Sequence, residues 1–353
     1  MSEPPRIPQA PCPPAADGRL RGALNALGVY ALVLVLLVLG WLASPKFLRH
    51  ENLMGALQAV ALLGIVSVGV AFVTYSRHYV DLSIPGIMAL SGVVAVSALK
   101  YGFAASLAAG IGAGLTVGLI NGWVVGYLRL NPIIWTLAMM SVLSGVIRKA
   151  YAGKQIYPDE ATPAGRAFLE LYHHPVFGAI PLPVAILVVL AAAGYVLMRH
   201  TGFGAQLKLT GASYEVSRMT GVNVRWVVAS AFVISSVTSA TAGILLTSFN
   251  KVGAHYIGKG YDFAAITAVV IGGMTLAGGR GSIIGVIGGV MVMALMDNVL
   301  GLVRIEECTV LGLVTLRDFT FSEFHKAIIR GLVFILAVGV NSYLRRRSGL
   351  DDV

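Results

Sequence analysis

Residues 199–225 read RHTGFGAQLKLTGASYEVSRMTGVNVR, a polar stretch set between two long apolar runs at 181–198 and 226–248. Each flanking run is long enough to cross a bilayer, which takes about 20 apolar residues. The stretch between them carries Arg199, Lys208, Arg218 and Arg225 against a single acid, Glu215. A chain made almost wholly of membrane spans needs a reason to keep so many polar residues in one connection. The reading this supports is docking of a soluble partner, so that force made outside the bilayer moves helices within it.

The rest of the composition agrees. Of 353 residues 57% are hydrophobic and only 12% charged, where soluble globular chains carry about 25%. The chain reads as an all-α integral membrane protein. A net charge of +10 would suggest nucleic acid in a soluble protein. Here the basic residues are spread over loops and tails, so the partner they imply is anionic membrane lipid and not nucleic acid. Cys12 and Cys308 are isolated and specify neither a disulfide framework nor a metal site. Residues 1–18 are rich in Pro and Ala, and 1–25 read as a disordered cytoplasmic tail. The apolar run that follows Arg19 and Arg21 has no small-residue cleavage site after it, which predicts a retained span.

Ten candidate spans follow: 26–43, 53–74, 84–99, 103–127, 132–150, 181–198, 226–248, 263–277, 282–302 and 327–343. They make one transmembrane domain over 26–343, with a second tail at 344–353. An even number puts both termini on one side, and Arg345, Arg346 and Arg347 directly after the last span favour the cytoplasm. Spans two to five and seven to ten form two sets of four that enter from opposite sides, the arrangement of an inverted repeat.

Glycine patterns the spans. Gly110, Gly114, Gly118, Gly122 and Gly126 recur every fourth residue, as do Gly281, Gly285 and Gly289. This spacing lets a neighbouring helix approach closely, within one subunit on the plainer reading and across a sliding surface on the other. The run GGMTLAGGRGSIIGVIGG at 272–289 breaks a helix, and Arg280 marks an interfacial turn there, with a place on the transport pathway as its alternative reading. A second break, Asp81-Leu82-Ser83-Ile84-Pro85-Gly86, offers Ser83 as an N-cap with Pro85 in the first turn. Its functional alternative is a helix start aimed at a transport pathway, with Asp81 and Ser83 lining it. Polar residues inside spans are further candidates: Asn121, Asp297 and Asn298, for which helix-to-helix hydrogen bonding is the competing reading. One deep acid is few for an ion-coupled carrier. The stretch 253–260 imitates a phosphate loop but has Gly260 where Ser or Thr is required. No catalytic constellation is visible.

These motifs converge. The chain resembles, over Asn52 to Ser342, the membrane permease subunits of bacterial ATP-binding-cassette sugar importers of the ribose type. The resemblance rests on Asp81-Leu82-Ser83, on Gly118-Leu119-Ile120-Asn121-Gly122, and on Asn131-Pro132-Ile133-Ile134-Trp135-Thr136-Leu137. It continues through Thr201-Gly202-Phe203-Gly204, Gly211 to Gly221, Gly272-Gly273 with Gly278-Gly279-Arg280-Gly281-Ser282, and Arg330-Gly331-Leu332. It implies a paired permease in the bacterial inner membrane, a periplasmic sugar-binding protein above it and ATPase subunits, in tandem form, below. ATP and magnesium would then sit on the partner, and this chain would hold no cofactor. It further implies an ATPase coupling helix within the polar stretch, involving Gly204, Gly211, Ala212, Ser213, Tyr214, Glu215, Arg218 and Gly221. The chain departs from the family pattern at Ser213-Tyr214, where Asn-Pro is usual, at Val216-Ser217, where two alanines are usual, and at Pro85, where glycine is usual. Residues 303–326 read as a long charged loop. Alternatives are the same architecture carrying a polyol, nucleoside or signalling furanose, and an ion-coupled carrier with Asp297 as its acid.

Overall fold

The computed structural model describes residues 16–76, 80–176, 178–310 and 314–347. In chain order the elements are α1 (Ala16–Ala43), α2 (His50–Tyr75), α3 (Ile84–Ala98), α4 (Phe103–Gly126), α5 (Pro132–Ala150) and α6 (Pro163–Glu170). A two-residue hairpin, β1 (Pro175–Val176) and β2 (Ile180–Pro181), leads to α7 (Leu182–His200), α8 (Gly202–Ala212) and α9 (Tyr214–Met219). Then come α10 (Val224–Asn250), α11 (Tyr261–Ile271), α12 (Ile283–Leu302), β3 (Arg304–Val310), β4 (Val314–Thr320) and α13 (Glu323–Arg347).

Nine of the ten apolar runs coincide closely with a helix, and the run 263–277 is helical only as far as Ile271, where α11 ends. Seven of these helices are long and apolar enough to cross a membrane: α2, α3 with the short helical turn that follows it, α4, α5, α7, α10 and α12. The apolar parts of α1 and α11 are shorter, and α13 takes the tenth run. The second helix is apolar on every side, which in a bundle means burial all round. Its residues from Val60 to Thr74 are indeed all buried. With α3 and α10 it forms the centre, and α4, α5 and α7 lie outside with their apolar faces exposed, as lipid-facing helices do.

The centre is close-packed through glycine. A methyl group added at Gly122 would meet the Ala229 carbonyl oxygen at 2.7 Å and its Cα at 2.9 Å. Gly114 and Gly118 face Ala240 and Ser236 of the same helix, α10. On the other ladder Gly285 and Gly289 lie against Gly272 and the Ala268 carbonyl at the end of α11. Both ladders therefore serve contacts within this subunit.

Two long helices are each followed by an irregular break and a short helix. After α2 the chain turns at Ser76 and re-enters as α3, with Pro85 in its first turn. After α10 it passes through Lys251, Gly258 and Gly260, all at positive φ, before α11. The breaks occupy corresponding places in the two helix sets, where broken helices in transporters build their sites.

Two sequence expectations change. The helix α1 starts at Ala16, so the expected tail over 1–25 is helical in its last ten residues; Ala, Leu and Arg favour that conformation. Residues 1–15, and 348–353 of the second expected tail, lie outside the described residues. The charged segment 303–326 is mostly a hairpin, paired from Arg304↔Thr320 to Val310↔Val314; its Val, Thr and Ile residues suit a strand. The polar stretch 199–225, within which the resemblance implies a coupling helix, holds two short capped helices, α8 and α9.

Candidate functional site

The polar connection is built by local capping. Thr201 Oγ1 accepts from the Gly204 amide at 3.3 Å, starting α8. Ser213 has extended backbone (φ −158°) and its Oγ accepts from the Val216 amide, starting α9. Asn223 Oδ1 accepts from the Trp226 amide and starts α10. Gly221, at φ +78°, supplies the left-handed turn between α9 and α10. Gly204 is required for a different reason: any side chain there would strike the Met198 carbonyl.

Gly211 fastens this connection to the bundle. A Cβ at that position would overlap the Tyr75 carbonyl oxygen at the end of α2 and the Gly279 amide nitrogen in the turn between α11 and α12. Those two groups are hydrogen-bonded to each other at 2.9 Å. Three chain segments distant in sequence thus meet backbone to backbone at one end of the bundle. Beyond that point α9 buries Ser217 against the bundle and exposes its other face. Ala212, Glu215 and Arg218 are exposed, Val216 is 51% exposed and Met219 86%. Glu215 in the first turn and Arg218 in the last complement the ends of the helix. Tyr214 turns back, its ring 5.3 Å from the Arg129 guanidinium carbon.

The break ahead of α3 carries a buried polar network. Asp81, Ser83 and Asn121 are all fully buried. Asp81 Oδ1 accepts from the Ser83 amide at 3.0 Å and from Ser83 Oγ at 2.5 Å. Its Oδ2 accepts from Ser235 Oγ, near the middle of α10, at 3.1 Å. Asn121 Nδ2 donates to Ser83 Oγ at 2.9 Å, and Trp135 Nε1 of α5 donates to Asn121 Oδ1 at 2.9 Å. The Leu82 amide donates to Thr136 Oγ1 at 3.0 Å. One carboxylate with its partners therefore holds the break against α4, α5 and α10. The expected N-cap at Ser83 is not made: its backbone is already helical and its hydroxyl is taken by Asp81, with no bond to a helix amide.

Asp297, Asn298 and Arg280 stand apart from that network. Asp297 Oδ1 pairs with Arg330 Nε at 2.9 Å, joining α12 to α13. Asn298 exchanges two hydrogen bonds with Asn52 of α2, at 2.9 and 3.1 Å, which is the helix-to-helix role. Arg280 is exposed in the turn between α11 and α12, its carbonyl accepting from the Thr275 amide.

Sequence reasoning missed Ser235, Thr136, Arg129 and Tyr75 as partners. Thr136 and Trp135 lay inside the quoted 131–137 block, and Ser235 inside an apolar span, where a hydroxyl is a signal of its own. Tyr75 contributes only a carbonyl oxygen, which no side-chain pattern reveals.

Comparison with known proteins finds a match over residues 52–338 to the family described as branched-chain amino acid transport system / permease component. The ribose import permease protein RbsC of Bacillus subtilis is 30% identical over 320 residues, covering 90% of this chain and 92% of the relative. The L-arabinose ABC transporter permease protein AraH of Azospirillum brasilense is 30% identical over 351 residues, 98% and 97% of the two chains. The xylose transport system permease protein XylH of Escherichia coli K12 is 27% identical, covering 91% and 92%.

Proposed function

Since this chain belongs to that family of transport-system permease components, we propose that it is the membrane subunit of an ATP-binding-cassette importer for a monosaccharide. It is a transport subunit and not an enzyme. The aligned relatives are named for ribose, L-arabinose and xylose, all pentoses, and a pentose is the substrate class we favour. Its partners are an ATPase and a periplasmic binding protein. The finer assembly is part of the proposal: two permease subunits side by side in the inner membrane, a tandem ATPase with ATP and magnesium beneath, and both termini in the cytoplasm.

The observation that carries this reading is the junction at Gly211. An exposed helix with an apolar tip, α9, is joined by α8 to a backbone-on-backbone contact with the end of α2 and the α11–α12 turn. Closure of the ATPase domains would move α9. The rigid junction would carry that motion to the central helix α2 and to the broken pair α11–α12. Packed interfaces with no slack shift between discrete arrangements and do not deform gradually. Solute recognition would rest mainly with the binding protein, so the pathway needs few specific contacts.

In the ion-coupled alternative Asp297 would be the coupling acid, and it is engaged with Arg330. The test is uptake by the full complex in liposomes. Gly211→Ala places a methyl group on two backbone segments, and Glu215→Ala removes the acid from the exposed face. Both should leave ATP hydrolysis running while sugar uptake falls at least ten-fold. Unchanged transport after replacing 205–221 by a Gly/Ser linker would refute the reading.

A further inference from the structure

The polar connection touches the bundle a second time, on the other side of α9. The Tyr214 ring lies against the Arg129 guanidinium at 5.3 Å, within cation–π range. Arg129 belongs to the 127–131 turn between α4 and α5, and its φ of 56° is left-handed, which a residue with a side chain adopts only under constraint. Arg225, at the start of α10, reaches the same turn through the Tyr127 ring at 6.0 Å. The turn is thus gripped from both ends of the segment that α9 begins.

From there the route into the bundle is short. Asn131 caps α5, accepting from the Ile133 and Ile134 amides. The next turn holds Trp135 and Thr136, which bond to Asn121 and to the Leu82 amide beside Asp81. So α9 is fastened to the bundle twice: through Gly211 to α2 and the α11–α12 turn, and through Tyr214 to the α4–α5 turn.

We propose that the Tyr214–Arg129 contact is a positioning link that carries displacement of α9 to the α4–α5 turn and, through the first turn of α5, to the buried Asp81 segment ahead of α3. It rests on the reading of 199–225 as the ATPase-docking connection. The two residues touch no substrate; they set how much of the motion reaches the break.

The experiment uses the complete importer in liposomes and reads the ratio of sugar taken up to ATP hydrolysed, with radiolabelled D-ribose, L-arabinose and D-xylose in parallel. Arg129→Ala and Tyr214→Ala should each lower that ratio roughly two- to five-fold, the factor expected of one exposed cation–π contact. The ATPase should still copurify. Arg129→Lys and Tyr214→Phe, which keep the cation and the ring, should restore most of the ratio, and the double alanine variant should fall no further than either single one. Arg129→Gly relieves the left-handed backbone, so it should melt no lower than wild type yet lose coupling as Arg129→Ala does. A wild-type ratio in Arg129→Ala or Arg129→Gly, or losses that multiply in the double variant, would overturn the proposal. Failure of the unmodified complex to import any of the three sugars with ATP would instead remove the docking reading, and this link with it.

Discussion

Asp81 shows what one side chain does when buried in this fold. Its two oxygens accept three hydrogen bonds, from the Ser83 amide, the Ser83 hydroxyl and the Ser235 hydroxyl. A buried carboxylate is tolerated only when so satisfied. Truncation would strand the donors that now point at it, and hydrogen bonds to a charged group contribute about 1.5–3 kcal/mol each. Asp81→Ala should therefore destabilise the chain by about 3 kcal/mol or more and lower its melting temperature in detergent. Ser235→Ala, which removes one donor and leaves two, should cost about 1 kcal/mol. Equal effects of the two would contradict the arrangement. The sequence made Asp81, Ser83 and Asn121 visible as polar residues among apolar ones. It could not show that they bond to one another, because Asn121 and Ser235 are brought to Asp81 only by the packing of α4 and α10. Ser83 read as a helix cap because the local pattern favours that, but the carboxylate two residues before it takes its hydroxyl instead.

At the scale of elements, apolar length was the legible quantity and the ten spanning runs became helices, 263–277 only as far as Ile271. Polar segments were less legible. Capping signals at Thr201, Ser213 and Asn223 sit in plain view at 201, 213 and 223, yet short helices between spans look like loops when only hydropathy is read. The 304–320 hairpin was hidden likewise, since seven-residue strands with mixed charge give a weak periodic signal. The glycine ladder invited two readings that the geometry separates. Gly112 of α4 lies outside the ladder: an added methyl there meets nothing within 4 Å, whereas at Gly122 it meets the Ala229 backbone. Gly112→Ala should be neutral or slightly stabilising, as alanine favours a helix over glycine. Gly122→Ala should cost about 1–3 kcal/mol by forcing α4 away from α10. Thermal unfolding of the purified subunit would check the pair. If the ladder served a sliding surface between copies, both substitutions would leave the melting temperature of the single subunit unchanged.

For the whole molecule, the account assigns the work to a partner. Two central helices, α2 and α10, are each followed by a break and a short helix, and the polar connection touches the end of α2 and the α11–α12 turn through Gly211 and the α4–α5 turn through Tyr214. Nothing in this arrangement generates force. Of the two buried acids among the described residues, Asp81 is held by hydroxyl and amide donors and Asp262 sits in the first turn of α11, while the part-exposed Asp297 pairs with Arg330. On the function proposed above, the chain is a passive gate worked from 199–225. The most direct measurement is solute accumulation in sealed liposomes, comparing the subunit alone under an imposed proton or sodium gradient with the complex of permease, ATPase and loaded binding protein. The account predicts no accumulation by the subunit alone under either gradient, and ATP-dependent accumulation by the complex. Gradient-driven accumulation by the subunit without its ATPase would contradict it.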